Sequence, residues 1–358
     1  MKTTVRPRID LYVRRSFSEK LSATFDFISE NIRPLFRYLS VFLLPLCIVG
    51  GVCYTTLMGQ ISSEASHASS DMGFLVGLGT NYLLLMAVSL FAAALLTGVV
   101  YTLMQQYWAR PNRLEGISYT EIKAQLWHSV RRSAGALVLV GIISLVVCVA
   151  AFVGSGVLIA ATDGSLQIGM SILVILLLVA LAVLFIPCTL ILPSYLLTTD
   201  ALWPSVKRAV RLGFHVWGGL LGMLIVLYMV VTLVSYALGI PFMGLTMLSA
   251  LATIDSSMSS LSFTSSTWFV LVSYLTGMLF LYSMYMAMAV MMVGLGFYYG
   301  HAAEKVDGVS MDEAVDKFEA LGDGQPSDPA EDDLGLADDT TATADATLER
   351  DIDQFDKL

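Results

Sequence analysis

Two stretches of the 358-residue chain set an indole before a basic pair at matched spacing. "LWHSVRR" occupies 126–132 and "LWPSVKR" occupies 202–208. Trp127 precedes Arg131 and Arg132, Trp203 precedes Lys207 and Arg208, and a long apolar run follows each. An indole favours the headgroup level of a bilayer, and Lys or Arg attracts anionic lipid there. These six residues are the candidate headgroup contacts. A second constellation is Asp71 and Asn81, which flank the glycine-rich "GFLVGLG" (73–79). They would line a cavity if that stretch were re-entrant, but a close-packed helix start is the favoured reading.

Other chemistry is thin. The chain contains no HExxH, P-loop, GxSxG or GxGxxG before a helix. Ser155 lies in an apolar run without a histidine deep in another run to activate it. His67 falls in an outer loop, and His128, His215 and His301 fall at membrane edges. Cys47, Cys53, Cys148 and Cys188 form no CxxC and read as small buried hydrophobes. Met284, Met288 and Met291 share a helix face. Thioethers suit Cu(I), but no Cys or His stands beside them, so packing is the favoured reading. Ser283, Ala287 and Gly294 offer a small-residue face for close helix contact. No catalytic residue, metal, cofactor or nucleic-acid partner is expected.

The elements that carry these residues are apolar. The chain is 56% hydrophobic and only 14% charged, with mean hydropathy +0.74. Soluble domains are roughly 25% charged. Several runs exceed the ~18 residues that mark a membrane span. Six spans are predicted near 36–59, 80–105, 134–160, 168–196, 215–239 and 267–299. Pro45, Pro187 and Pro193 are the expected kink points. Segment 240–260 lies between spans and is expected to be interfacial or re-entrant. The first 35 residues are polar and basic and read as an arm, not as a cleaved leader.

Charge sets the orientation. All 20 Lys and Arg fall in the N-terminal arm (eight), the second connection (five), the fourth (three) and the tail (four). The three remaining connections hold none; they hold Glu64, Asp71, Asp163 and Asp255. Positive-inside bias then places both termini in the cytoplasm and requires an even number of spans. A multi-pass protein of a bacterial cytoplasmic membrane is the expectation.

The opening echo extends into a repeat. Aligning 118 with 194 matches the two basic stretches, and aligning 118 with 16 sets "SYTE" on "SFSE". The last two are capping boxes. Each unit has an apolar row at helical spacing: Leu21, Phe25, Ile28 and Ile32; Ile122, Leu126, Val130 and Ala134; Val206, Val210 and Phe214. The predicted fold is all-α, a six-helix transmembrane bundle. Three parallel repeats build it, each a cytoplasmic amphipathic helix plus a two-span hairpin. The third amphipathic helix is expected to begin around Asp200, with Pro204 in its first turn.

The C-terminal segment changes character. Residues 301–358 hold 18 acidic and four basic residues. An acidic amphipathic helix is expected within 301–322, and a disordered acidic tail over 323–358. "LERDIDQFDKL" spaces Leu348, Ile352 and Phe355 like a short docking peptide, though a solvated tail explains it as well.

The stretches "PSVKRAVRLGFHVWGGLLGMLIVLY" (204–228) and "HAAEKVDGVSMDEAVDKFEALG" (301–322) carry a family resemblance. The chain resembles uncharacterised bacterial six-span integral membrane proteins. It also resembles the membrane domain attached to some bacterial glycerophosphodiester phosphodiesterases. The resemblance covers roughly residues 10–322 and implies a six-helix membrane body. The catalytic domain is absent, so no activity transfers. The expected role is a non-enzymatic scaffold or accessory subunit in the cytoplasmic membrane, touching anionic lipids and a protein partner of the acidic tail. The alternative is a carrier or channel for a lipid or apolar solute.

Overall fold

The N-terminal helix opens as its sequence dictates. Ser16 Oγ accepts from the Glu19 amide, and the Glu19 carboxylate accepts from the Ser16 amide at 2.8 Å. Two orphan donors are thereby satisfied at the start of α1 (Phe17–Glu30). A computed structural model describes residues 8–64, 72–160, 185–254 and 266–311, with single positions between 172 and 183 and at 315. The chain divides into a unit 1–310 and a unit 311–358, and of the second only Met311 and Val315 are described.

After α1 come α2 (Ile32–Glu64), α3 (Met72–Ala109) and α4 (Tyr119–Ala160). A 3-10 turn over Ile186–Leu190 then leads into α5 (Ile191–Leu197). The chain continues through α6 (Leu202–His215), α7 (Trp217–Ile254) and α8 (Thr267–Val306). No strand occurs among the described residues. Among the described residues five helices are long and apolar enough to cross a membrane: α2, α3, α4, α7 and α8. Most of their apolar surface is uncovered; Leu83, Leu145 and Leu233 are 68, 64 and 74% exposed. Surface of that kind requires an apolar solvent. The predicted fourth span, 168–196, lies largely outside the described residues; its end is the 3-10 turn and α5, where Pro187 and Pro193 sit.

The helices differ from expectation at four places, each for a local reason. First, α1 and α2 are separated by the single residue Asn31, and α6 and α7 by Val216. The breaks share a conformation, φ −110° and ψ 21° at Asn31 against φ −116° and ψ 22° at Val216. Asn31 Nδ2 donates to the Phe27 carbonyl at 2.9 Å, and Tyr298 Oη donates to the Val216 carbonyl at 2.8 Å. Second, the middle unit has no such break, and α4 runs on from its amphipathic part into its span. Ser133 is satisfied within the straight helix by the Ala94 and Val130 carbonyls, at 2.7 and 2.9 Å. Gly98 also lets Val130 lie directly on α3, since a Cβ there would come within 2.6 Å of it. Third, residues 240–254 are not a separate element, because α7 continues through Pro241 to Ile254. Fourth, 73–79 forms the first turns of α3, but it is loosely packed. A Cβ at Gly73 or Gly79 would meet nothing within 4 Å.

The faces of α1 and α6 are also rotated from those expected. Phe25 is 43% and Phe214 53% exposed, whereas Leu21, Ile28 and Val206 of the same rows pack, partly buried, on the cores. The buried faces are Lys20, Ala23, Thr24 and Phe27 on α1, and Ser205, Ala209, Leu212 and Gly213 on α6. Small residues bring these helices close to their neighbours. At Gly213 a Cβ would lie 2.7 Å from the Pro187 backbone. On α4 the expected row is inside, with Ile122 and Leu126 both 1% exposed.

Two cores result. One joins α1, α2, α3 and the start of α4 to α8, with Phe27, Tyr101 and Tyr107 among its largest buried side chains. The other joins α6 and α7 to the end of α8 through Leu212, Met223, Leu227 and Tyr299. Gly51 of α2 crosses α8 so closely that a Cβ would fall 2.6 Å from Met278 Cα, whereas Gly59 faces open space. Gly51→Ala should therefore lower the thermal midpoint of the detergent-solubilised protein by several degrees. Gly59→Ala should raise it, through a gain of about 0.5–1 kcal/mol in helix propensity. Tryptophan-fluorescence melting measures both.

Candidate functional site

The Lys and Arg side chains of the described residues gather at one end of the bundle. The N-terminal segment reaches that end first. Trp108 Nε1 donates to the Ile9 carbonyl at 2.8 Å, and Arg8 donates to the Tyr107 carbonyl. The Arg15 amide donates to His301 Nδ1 at 3.0 Å, which ties the segment to the end of α8. Lys20 is buried with its Nζ 4.7 Å from the Tyr298 ring centre. Burial, and then the nearby Lys305, push its ammonium below the ordinary lysine range.

The second connection closes the next sector. Arg113 adopts φ 55°, a left-handed conformation unusual for a non-glycine residue. Its guanidinium forms an ion pair with Glu30 at the end of α1. Hydrogen bonding to Glu30 raises the Arg113 pKa further. Tyr38 Oη donates to the Ile117 carbonyl at 2.9 Å. A ladder of Gln105, Gln106, Gln125 and Arg110 links α3 to α4, with Arg110 also paired to Glu121 at 2.5 Å.

The six candidate headgroup residues divide by helix face. Arg132 turns inward. Its guanidinium donates to the carbonyls of Tyr195 and Asp200 at 2.7 Å each and of Thr198 at 3.3 Å, and lies 4.1 Å from the Tyr195 ring centre. It thereby holds the loop between α5 and α6. Arg208 also turns inward, to Asp307 at 2.8 Å, beside Arg211 at 2.5 Å. The other four are exposed: Trp127 (40%), Arg131, Trp203 (63%) and Lys207. Lys207 Nζ sits 5.7 Å from the Trp203 ring centre. The two echoed stretches thus have one pattern. The first cation and the indole face out, the second cation faces in, and Ser129 and Ser205 are buried.

The candidate cavity at 71–81 does not assemble as a site among the described residues. Asp71 lies outside them, and Asn81 donates to Gln60 Oε1 at 3.1 Å across α2 and α3. Of the three methionines expected to share a face, Met288 and Met291 pack on the cores and Met284 is 40% exposed, and the Cys148 side chain lies outside the described residues. Cys47 and Cys53 are buried free thiols, and Met286, Met288 and Met292 pack on the first core while Met291 packs on the second. Among the described residues no three His, Cys, Asp or Glu side chains gather.

A depression that the two motifs did not point to lies beside Asn31. It encloses about 560 Å³ between the α1–α2 break and the 114–117 loop, and Arg33 and Arg37 line it. The signal was present as an Arg-Pro pair and a second Arg one turn on, at the very start of a span. No protein-family model, curated protein or solved structure matches the chain.

The contrast between the two echoed arginines is testable. Arg132→Ala removes three charge-assisted bonds to carbonyls and should cost about 2 kcal/mol of stability. Arg131→Ala should stay within about 0.5 kcal/mol, as an exposed substitution. Arg132→Lys should recover less than half of the loss, because an ammonium lacks the planar fork that reaches three acceptors. Thermal unfolding in detergent reads all three.

Proposed function

We propose that this chain is a six-span protein of a bacterial cytoplasmic membrane, with both ends on the cytoplasmic side. In this reading it serves as a non-enzymatic scaffold or accessory subunit of a membrane assembly. The supporting observation is the exposure of the two large aromatic side chains Phe25 on α1 and Phe214 on α6. Helices at a protein–water boundary would turn Phe25 and Phe214 inward; helices lying in the lipid interface turn them outward. Trp127, Arg131, Trp203 and Lys207 are exposed at the same end and suit the headgroup layer. The sixth span is assigned to 168–196. Clustering of every Lys and Arg in alternate connections supports the orientation.

The three-unit repeat belongs to the same proposal. The matched breaks at Asn31 and Val216 support it, as does the matched in–out pattern of the echoed stretches. The breaks do not coincide in the alignment, which pairs Asn31 with Ala209. The difference is seven residues, two helical turns, which preserves the face. Kinship with membrane domains of glycerophosphodiester phosphodiesterases rests on 204–228 and 301–322. The acidic segment after residue 310 is assigned the partner-binding role. A second reading, a carrier for a lipid or apolar solute, draws support from an apolar groove of about 210 Å³ between α2 and α8.

Two measurements test the proposal. In a background with Cys47, Cys53, Cys148 and Cys188 replaced, Glu115→Cys and Ser310→Cys should react with an impermeant maleimide only in inside-out vesicles. Ala68→Cys should react only in right-side-out vesicles; the same sidedness for all three would overturn the topology. Removing 323–358 should shrink the native membrane complex by more than the mass of the tail. A complex of unchanged size would remove the scaffold reading.

A further inference from the structure

Two depressions adjoin on the outer side of the first turns of α2, and they differ in chemistry. The larger is the cavity of about 560 Å³ beside the Asn31 break. Arg33 and Arg37 line it, both exposed, and among the described residues neither has an ion-pair partner. Glu30 lines another wall and is neutralised by its ion pair with Arg113, which stands behind the lining. Glu115 lines the cavity too; with Glu30 taken up by Arg113, two guanidiniums face one remaining carboxylate. Tyr38, donating to the Ile117 carbonyl, fixes the 114–117 loop against α2.

The smaller depression is the groove of about 210 Å³ between α2 and α8, lined by apolar side chains including Ile32, Phe36, Leu39, Met286 and Ala289. Ile32 lines both depressions. Residues four apart stack along a helix, so Ile32–Phe36 and Arg33–Arg37 form neighbouring rows, about 60–100° apart around α2. Ile32 and Phe36 are each 56% exposed, so the ridge between cavity and groove is open among the described residues. The arrangement stands where the apolar run of α2 begins, at the end of the bundle that carries the cations.

We propose that these two depressions form one binding site for an anionic glycerophospholipid. Its phosphate lies between Arg33 and Arg37, and one acyl chain runs over Ile32 into the α2–α8 groove. The pairing of chemistries selects this ligand. A soluble anion would leave the groove unfilled, and a neutral apolar molecule would leave both guanidiniums without a counter-charge. A lipid with a phosphate head satisfies both at the spacing that a single molecule supplies. The proposal rests on this end of the bundle lying at a membrane–water boundary, but it does not depend on which side of the membrane that is.

The test uses the full chain in mild detergent, with native mass spectrometry during titration of phosphatidylglycerol or phosphatidylcholine of the same acyl chains. Phosphatidylglycerol should bind the more tightly. Arg33→Gln/Arg37→Gln should weaken it about thirtyfold, as two lost headgroup cations imply. Val290→Trp, which fills the groove from α8, should weaken both lipids. Unchanged melting of the lipid-free variants shows that they are folded; a variant that melts early is replaced by Arg37→Gln alone or Val290→Phe. Glycerol 3-phosphate in millimolar excess should displace nothing. Equal binding of the two lipids, wild-type binding by the arginine variant, or displacement by glycerol phosphate would each overturn the proposal. The last would make it a soluble-anion site. Failure of the cytoplasmic assignment in the labelling experiment leaves this measurement unchanged.

Discussion

The last third of α8 is enclosed on every side, and the basic end of the bundle is assembled around it. Every residue from Val293 to Glu304 is buried. A helix enclosed all round needs neighbours on all faces, and three glycines make room for them. Gly294 admits Leu227 of α7, Gly296 admits Met104 of α3, and Gly300 admits Leu11 of the N-terminal segment. At Gly300 a Cβ would meet the Leu11 backbone carbonyl, so the N-terminal segment itself would have to move, whereas at Gly294 and Gly296 it would meet the ends of the Leu227 and Met104 side chains. The aromatic residues between the glycines do further work. Phe297 packs edge-on to Phe27 and Trp108, and Tyr298 holds both the α6–α7 break and the Lys20 ammonium.

This end carries nearly all of the ionisable groups in a body otherwise made of apolar helices, and that imposes a second constraint. Where water is scarce, an unpaired donor or acceptor costs several kcal/mol. The observed partners follow from that cost. Arg132 is saturated by backbone carbonyls, Arg208 and Arg211 share Asp307, and Glu304 accepts from both the amide and the hydroxyl of Ser310. Gly308, at φ 66°, turns the chain out of α8 so that Ser310 reaches Glu304. Arg33, Arg37 and Arg131 have no ion-pair partner among the described residues and are exposed, whereas the buried Lys20 rests against the Tyr298 ring.

Much of the architecture was legible in the sequence. Apolar runs located the five long helices to within a few turns, and the S-x-x-E signature located the start of α1. Three things were not legible. The continuity of α4 depends on Ser133 finding a carbonyl on α3 and on Gly98 opposite Val130, both contacts between distant residues. The extension of α7 through Pro241 depends on flanking residues staying helical around a missing donor, which composition does not report. The outward Phe25 of α1 and Phe214 of α6 have the most general cause. Reading an apolar row as the packed face assumes water on the other side. In lipid the large apolar side chains gain nothing by turning inward, and van der Waals packing of small residues decides the contact. On α4, whose lead-in turns pack along α3, the ordinary rule holds. Of the candidate site, the indoles and first cations were legible as outward groups. The second cations were not, because their partners lie 63 to 99 residues away.

The echoed stretches then acquire a physical meaning that neither sequence nor topology supplies alone. In a helix, positions three apart lie nearly on one face and positions one apart do not. Ser129 and Arg132, like Ser205 and Arg208, are three apart and both turn toward protein. Trp127 and Arg131, like Trp203 and Lys207, are four apart and both turn away. A basic doublet after W-x-S-V therefore divides its two charges between two tasks. The second fastens the helix to a neighbouring loop or helix end, and the first stays at the surface beside the indole. Conserving only the net charge of the doublet would not preserve this, since exchanging the inward Arg132 for a lysine leaves carbonyls unmatched while the outward position already accepts either residue. The repetition of the motif is a repetition of that division, applied once to an unbroken helix and once to a helix that ends seven residues later.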